Sequence, residues 1–294
     1  MHSYLRAIGF STIKREAEVE KLLAEVFRDF DHRDAVRGKD TAFVEMEKEF
    51  APNMGIKLCG DLDADGFHRQ YYFPYYKGSG VTTTEEVSVE ARVGGDSYAG
   101  ICDDGRVGVS LIFYLQNVVG YRKKLLMNTL AGRRVTTTFS GLSSSGMILF
   151  PIIKKISNDL EGELLQSQLA DRRCQLMNAA KNGDPEAIES LTIEDMDLYS
   201  MVSRRIYNED VFSIVDTFFM PYGMECDQYQ VMGNIVRFKK IQNSLTDEYV
   251  YQISIECNDM YFDICINAKD LMGEPEVGRR FKGNIWLQGR LNID

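Results

Sequence analysis

The chain has 294 residues, of which 44% are hydrophobic and 27% charged, and its formal charge is −10 at pH 7. That is the composition of a folded soluble protein with one large or two modest domains, and its negative field opposes general binding to nucleic acid or anionic lipid. No stretch approaches 18 consecutive apolar residues and the start has no export signal, so the expectation is a cytoplasmic protein with no membrane span.

The opening "YLRAIGF" is short and apolar and reads as a strand. A helix follows: Val19, Leu22, Leu23, Val26, Phe27 and Phe30 recur at the spacing of one helical face, with Ser11 or Thr12 as its cap. From Thr41 to about Pro151 the texture is β-like. The candidate strands are Met54–Cys59, Phe67–Tyr76, Thr83–Val93, Tyr98–Ile101, Val109–Leu115, Val135–Phe139 and Met147–Phe150, with a helix near Val118–Leu130. Residues 155–207 read as helical, with Leu160, Leu164, Leu169, Leu176, Met177 and Ala180 as a buried stripe. In "KNGDPEA", Gly183 suits a helix C′ position, Asp184 an N-cap and Pro185 the first turn. Thr192–Asp195 spells a further capping box.

After Glu209 the pattern returns to β. Candidate strands cover Val211–Phe219, Ile235–Ile241, Tyr249–Cys257, Phe262–Ile266 and Phe281–Leu291, with Asn258-Asp259 as a two-residue turn and a short helix near Ala268–Met272. The expected class is α+β. An α+β domain over 1–151 carries an antiparallel sheet with helices, a helical connector covers 152–208, and a small barrel-like or curled-sheet β domain covers 209–294.

Chemical motifs are few. Asp61, Asp63, Asp65 and Gly66 in "DLDADG" match the first half of a calcium loop, but its ninth and twelfth positions are Arg69 and Tyr72 and the flanks are β-like. An acidic hairpin turn is the better reading, so no metal ligand is assigned. "GLSSSG" (141–146) lacks the second glycine of a nucleophile elbow and reads as a Ser/Gly loop between two strands. Ser11–Lys14, "STIK", has none of the partner motifs of serine–lysine enzymes. His2, His32 and His68 lack ligand spacing, and His32 reads as solvated. Cys59, Cys102, Cys174, Cys226, Cys257 and Cys265 include no C-x-x-C pair and read as reduced thiols.

No nucleotide fingerprint, cofactor site or catalytic constellation emerges. Two basic clusters, Arg237/Lys239/Lys240 and Arg279/Arg280/Lys282, would form one patch beside Phe238, Tyr249 and Tyr251 if their strands were neighbours. Residues 209–294 nevertheless carry 14 acidic and 8 basic side chains, which disfavours nucleic acid there. Tyr71, Tyr72, Tyr75 and Tyr76 are either interface residues or half-buried strand positions.

Four segments, "HSYLRAIGFS" (2–11), "EDMDLYSMVSRRI" (194–206), "FFMPYGMECDQY" (218–229) and "FKGNIWLQGRL" (281–291), resemble a family of uncharacterised bacterial proteins of about 300 residues, a domain of unknown function. The resemblance implies a complete cytosolic bacterial protein and supplies no activity, cofactor or site residue. The functional expectation is a non-enzymatic binding or interaction protein whose partner is a protein or small ligand. The alternatives are a hydrolase using acidic residues in an inter-domain cleft, or an oligonucleotide-binding barrel at the C-terminal end.

Overall fold

The computed structural model describes residues 3–38, 41–92, 97–128, 135–151, 172, 175–180, 182–206 and 215–293. Half of the expected helical stripe (Leu160, Leu164 and Leu169), the expected strand start at Val211 and Cys174 fall outside them.

The fold is α+β. Strands β1 (His32–Arg37), β2 (Ala42–Ala51), β3 (Met54–Leu62) and β4 (Phe67–Tyr76) form a four-stranded antiparallel sheet in sequence order. Helix α1 (Glu16–Arg28) covers one face of it. Val19, Leu22, Leu23 and Val26 of α1 are buried, as are Val44, Met46, Ile56 and Leu58 in the sheet. Phe27 is half exposed and stacks on Phe67, and Phe30 lies beyond the helix end, so the buried stripe is shorter than its spacing predicts.

The expected opening strand is a 3-10 turn over Ser3–Ile8. It is buried rather than paired. Asn267 donates to the Arg6 carbonyl, Asn243 to that of Ile8 and Thr246 to that of Gly9, so side chains satisfy backbone acceptors that a sheet ladder would otherwise take. Ser11 does not cap α1 either. Its hydroxyl donates to Glu248 at 2.6 Å, while the Glu18 carboxylate accepts the Lys14 and Arg15 amides at the helix start.

The second sheet contains β5 (Val87–Ala91), β6 (Tyr98–Asp103), β7 (Ser110–Leu115), β8 (Thr136–Leu149), β9 (Phe218–Pro221), β10 (Gln228–Gln242), β11 (Tyr249–Cys257), β12 (Met260–Asn267), β13 (Leu271–Met272) and β14 (Arg280–Asn292). Within it β8–β12–β11–β10–β14 return to β8 and close a five-stranded barrel in the C-terminal region. The fifth stave, β8, comes from before the expected connector, so strands on both sides of that segment share one sheet. Thr83 makes only an isolated bridge to Thr137 outside β5.

Here "GLSSSG" is corrected: it is no loop, because β8 runs unbroken through it. A side chain at Gly141 would press on Ile285, and one at Gly146 on Phe281 and Ile266. The small residues leave the space these side chains fill in a narrow barrel.

Helix α2 (Val118–Leu126) follows β7, and α3 (Pro185–Ile206) follows the Gly183 turn. Gly183 has φ +84°, and the Asp184 carboxylate accepts the Glu186 and Ala187 amides, which is the expected stop and start. No second cap forms at Thr192. Its hydroxyl bonds back to the Ile188 carbonyl inside α3, and the helix continues. Asn258 and Asp259 both take positive φ in the β11–β12 hairpin, as expected. The expected helix near Ala268 is a single 3-10 turn ahead of β13. No described helix is long and apolar enough to cross a membrane.

Candidate functional site

Strand β2 was not among the expected strands, yet "FVEMEKEF" alternates. Val44, Met46 and Phe50 are buried on the α1 side, and Glu45, Glu47 and Glu49 necessarily point the other way. Strand register lines these carboxylates up with neighbours on the same face. Asp34, Glu45 and Cys59 form one row, and His32, Glu47, Lys57 and Phe73 the next. The four-stranded sheet therefore has one apolar face and one charged face.

On the charged face Lys57 is buried. Its ammonium lies 3.3 Å from Glu45, 3.4 Å from Glu47 and 2.9 Å from the Gln116 carbonyl. Three acceptors match its three N–H groups. Burial pulls the Lys57 ammonium toward its neutral form, but Glu45 and Glu47 outweigh that and raise its pKa above the ordinary value. Burial alone would lift the Glu47 carboxyl; Lys57 and Lys77 overcome it and hold it below the usual carboxylate value. Lys77 also reaches Glu47 at 2.8 Å and Glu49 at 3.3 Å.

Helix α2 stands over this face. Its Val119 amide donates to Glu45 at 3.2 Å, so a carboxylate from β2 caps the helix start. Asn117, the residue at the cap position, exchanges hydrogen bonds with the Leu291 backbone instead. Lys123 pairs with Asp34 on β1.

Between these elements lies a cavity of about 400 Å³. Its floor includes Glu45, Glu47, Lys57 and Tyr75, its roof Gly120, Lys123 and Lys124, and its sides His32, Arg33, Arg290 and Ile293. Tyr75 is 1% exposed, and its hydroxyl is buried with no hydrogen-bond partner. Burial, then the nearby Glu47, Glu49 and Asp31, push that phenol up, so it stays protonated and able to donate. The hydroxyl sits where a side chain on Gly55 would be, 2.8 Å from the position of its absent Cβ. The cross-strand glycine makes room for it.

The residues singled out in sequence lie elsewhere. "DLDADG" is the β3–β4 hairpin turn. The Asp63 carboxylate accepts the Asp65 and Gly66 amides and meets His68 at 3.2 Å, while Asp61 accepts from Gln70. Among the described residues no group of three or more His, Cys, Asp or Glu could hold a metal ion.

The basic clusters do lie on adjacent strands, β10 and β14, yet their side chains diverge. Arg237 and Lys239 line a separate polar pocket with Asp263, Lys240 lies over Tyr249 and Tyr251, and Lys282 lines a groove beside β13. Arg280 is buried and donates to the Phe150 and Val215 carbonyls; burial lowers its pKa. Tyr75 and Tyr76 are buried, and Tyr71 and Tyr72 half-buried, so the tyrosines are strand positions. His32 is exposed at the cavity side.

Residues 5–289 match the family described as "Domain of unknown function, E. rectale Gene description (DUF3881)". The chain belongs to this family. The matched span takes in the barrel from β8 into β14 and every residue lining the cavity except Arg290 and Ile293. No curated protein and no solved structure matches the chain.

Proposed function

We propose that this DUF3881 protein is a non-enzymatic cytoplasmic binding protein that holds a small molecule in the cavity beneath α2. The observation that carries the reading is the cavity itself, about 400 Å³ between the charged sheet face and α2, which is of ligand size and lined by a few convergent polar side chains.

Binding is preferred to hydrolysis because the buried Glu45 and half-buried Glu47 carboxylates share one ammonium instead of standing in contrasting environments. An oligonucleotide barrel has less support, because the basic side chains of β10 and β14 point to different places. A cytoplasmic setting accords with Cys59, Cys102, Cys257 and Cys265, all buried and unpaired.

Native mass spectrometry of the full chain, repeated after denaturation, tests the reading. A mass excess that is lost on denaturation and absent from Gly120→Leu, which fills the roof of the cavity, is the expected result. A bare chain mass in the wild type, or an excess that persists in Gly120→Leu, counts against the cavity.

A further inference from the structure

We infer that the ligand of this cavity is a small organic anion, its acidic group held by Arg290; this rests on the binding reading above. The charges around the cavity run against the rest of the chain. The protein carries −10 overall, whereas the cavity face brings five cationic side chains, Lys57, Lys77, Lys123, Lys124 and Arg290, against the three carboxylates of Asp34, Glu45 and Glu47.

The pairing pattern locates the surplus. Lys57 is saturated by Glu45, Glu47 and the Gln116 carbonyl; Lys77 is shared by Glu47 and Glu49; Lys123 is taken by Asp34. The Arg290 side chain forms no ion pair or hydrogen bond among the described residues and is exposed where it lines the cavity, whereas Arg33 pairs with Met46 across β1–β2 and so belongs to the α1 face. Guanidinium groups offer paired donors that match the oxygens of a carboxylate or phosphate.

Other ligand classes fit worse. A cation would meet the unpaired Arg290 guanidinium. A wholly apolar molecule would have to cover Glu47 and Lys77 without replacing the water around them, an unfavourable desolvation. At about 400 Å³ the space suits a small molecule, since sites for such ligands start near 300 Å³.

Isothermal titration of the full chain at fixed ionic strength, with succinate, its neutral diamide and inorganic phosphate as probes, tests the class. The expected result is that an anion binds at least about tenfold more tightly than the diamide. Arg290→Gln should then weaken the anion about tenfold or more while leaving the melting temperature unchanged, as the loss of one charge-assisted contact implies. Succinate and phosphate separate a carboxylate ligand from a phosphate ligand.

If the diamide binds as well as the acid and both are lost in Gly120→Leu, the cavity is a site but the anion inference is overturned. If anion binding survives Gly120→Leu, the site is elsewhere and both readings fall. Binding of no probe at millimolar concentration, together with no co-purified mass, overturns both as well.

Discussion

The Lys57 ammonium and the Glu45 carboxylate meet at 3.3 Å on a buried face, each less than a tenth exposed as a residue. Such a pair adds little by forming but costs much when halved, because the survivor is left charged and unpaired. Lys57→Met leaves both Glu45 and Glu47 without their shared cation. The expected loss is about 3–5 kcal/mol, read as a lowered midpoint in urea denaturation. Adding Glu45→Gln and Glu47→Gln to that variant should recover a large part of the loss; if it loses further stability, the network is not the source.

The same network sets a pH window. Glu47 has its pKa lowered from 4.5, so its contribution is present above that value and disappears as pH falls through the folded-state pKa. Lys57 has its pKa raised from 10.5, so its contribution is present below that value and disappears as pH rises through the folded-state pKa. Stability should hold level for these two groups between 4.5 and 10.5. Urea midpoints across pH check this, and Glu47→Gln should flatten the acid side.

Gly120 lies inside α2 at the cavity roof, and a side chain there meets nothing closer than Ile293 at 3.5 Å. Helix-interior glycine costs about 1 kcal/mol relative to alanine. Gly120→Ala should therefore raise the melting temperature by a few degrees while removing about one methyl's worth of cavity. Because the substitution favours the helix, loss of ligand in the larger Gly120→Leu is separable from loss of folding by circular dichroism.

Thiol reactivity should divide by burial. Cys59, Cys102, Cys257 and Cys265 are buried, and burial raises the pKa of each, that of Cys102 to about 11 and that of Cys257 to about 12. Cys226 is exposed. Brief iodoacetamide treatment of the native chain followed by peptide mapping should label Cys226 well ahead of those four. Equal labelling of Cys59 or Cys265 would show that the buried environment opens.

The sequence by itself determined what nearest neighbours decide. Phe67–Tyr76 is a strand with the expected ends, Asn258-Asp259 is the expected turn, and the Gly183–Asp184–Pro185 stop and start holds, because two-residue periodicity, positive-φ tolerance and capping act over a few positions. The α+β class and the C-terminal barrel followed from the same local signals. β2 was also legible in the alternation of "FVEMEKEF", although it was not among the expected strands.

Only the tertiary structure decided what those glutamates do. Register places Glu47 beside Lys57, and α2 closes over Glu45 from more than 70 residues away in the chain. A local pattern carries no information about which distant segment covers a face. For the same reason "GLSSSG" read as a loop until β12 and β14 were seen on either side of it, and "YLRAIGF" read as a strand until its carbonyls were found bonded to Asn243, Thr246 and Asn267. The barrel could be named from its strands, but its closure by β8 and the cavity beneath α2 depend on long-range pairing, where burial and charge compensation are settled together.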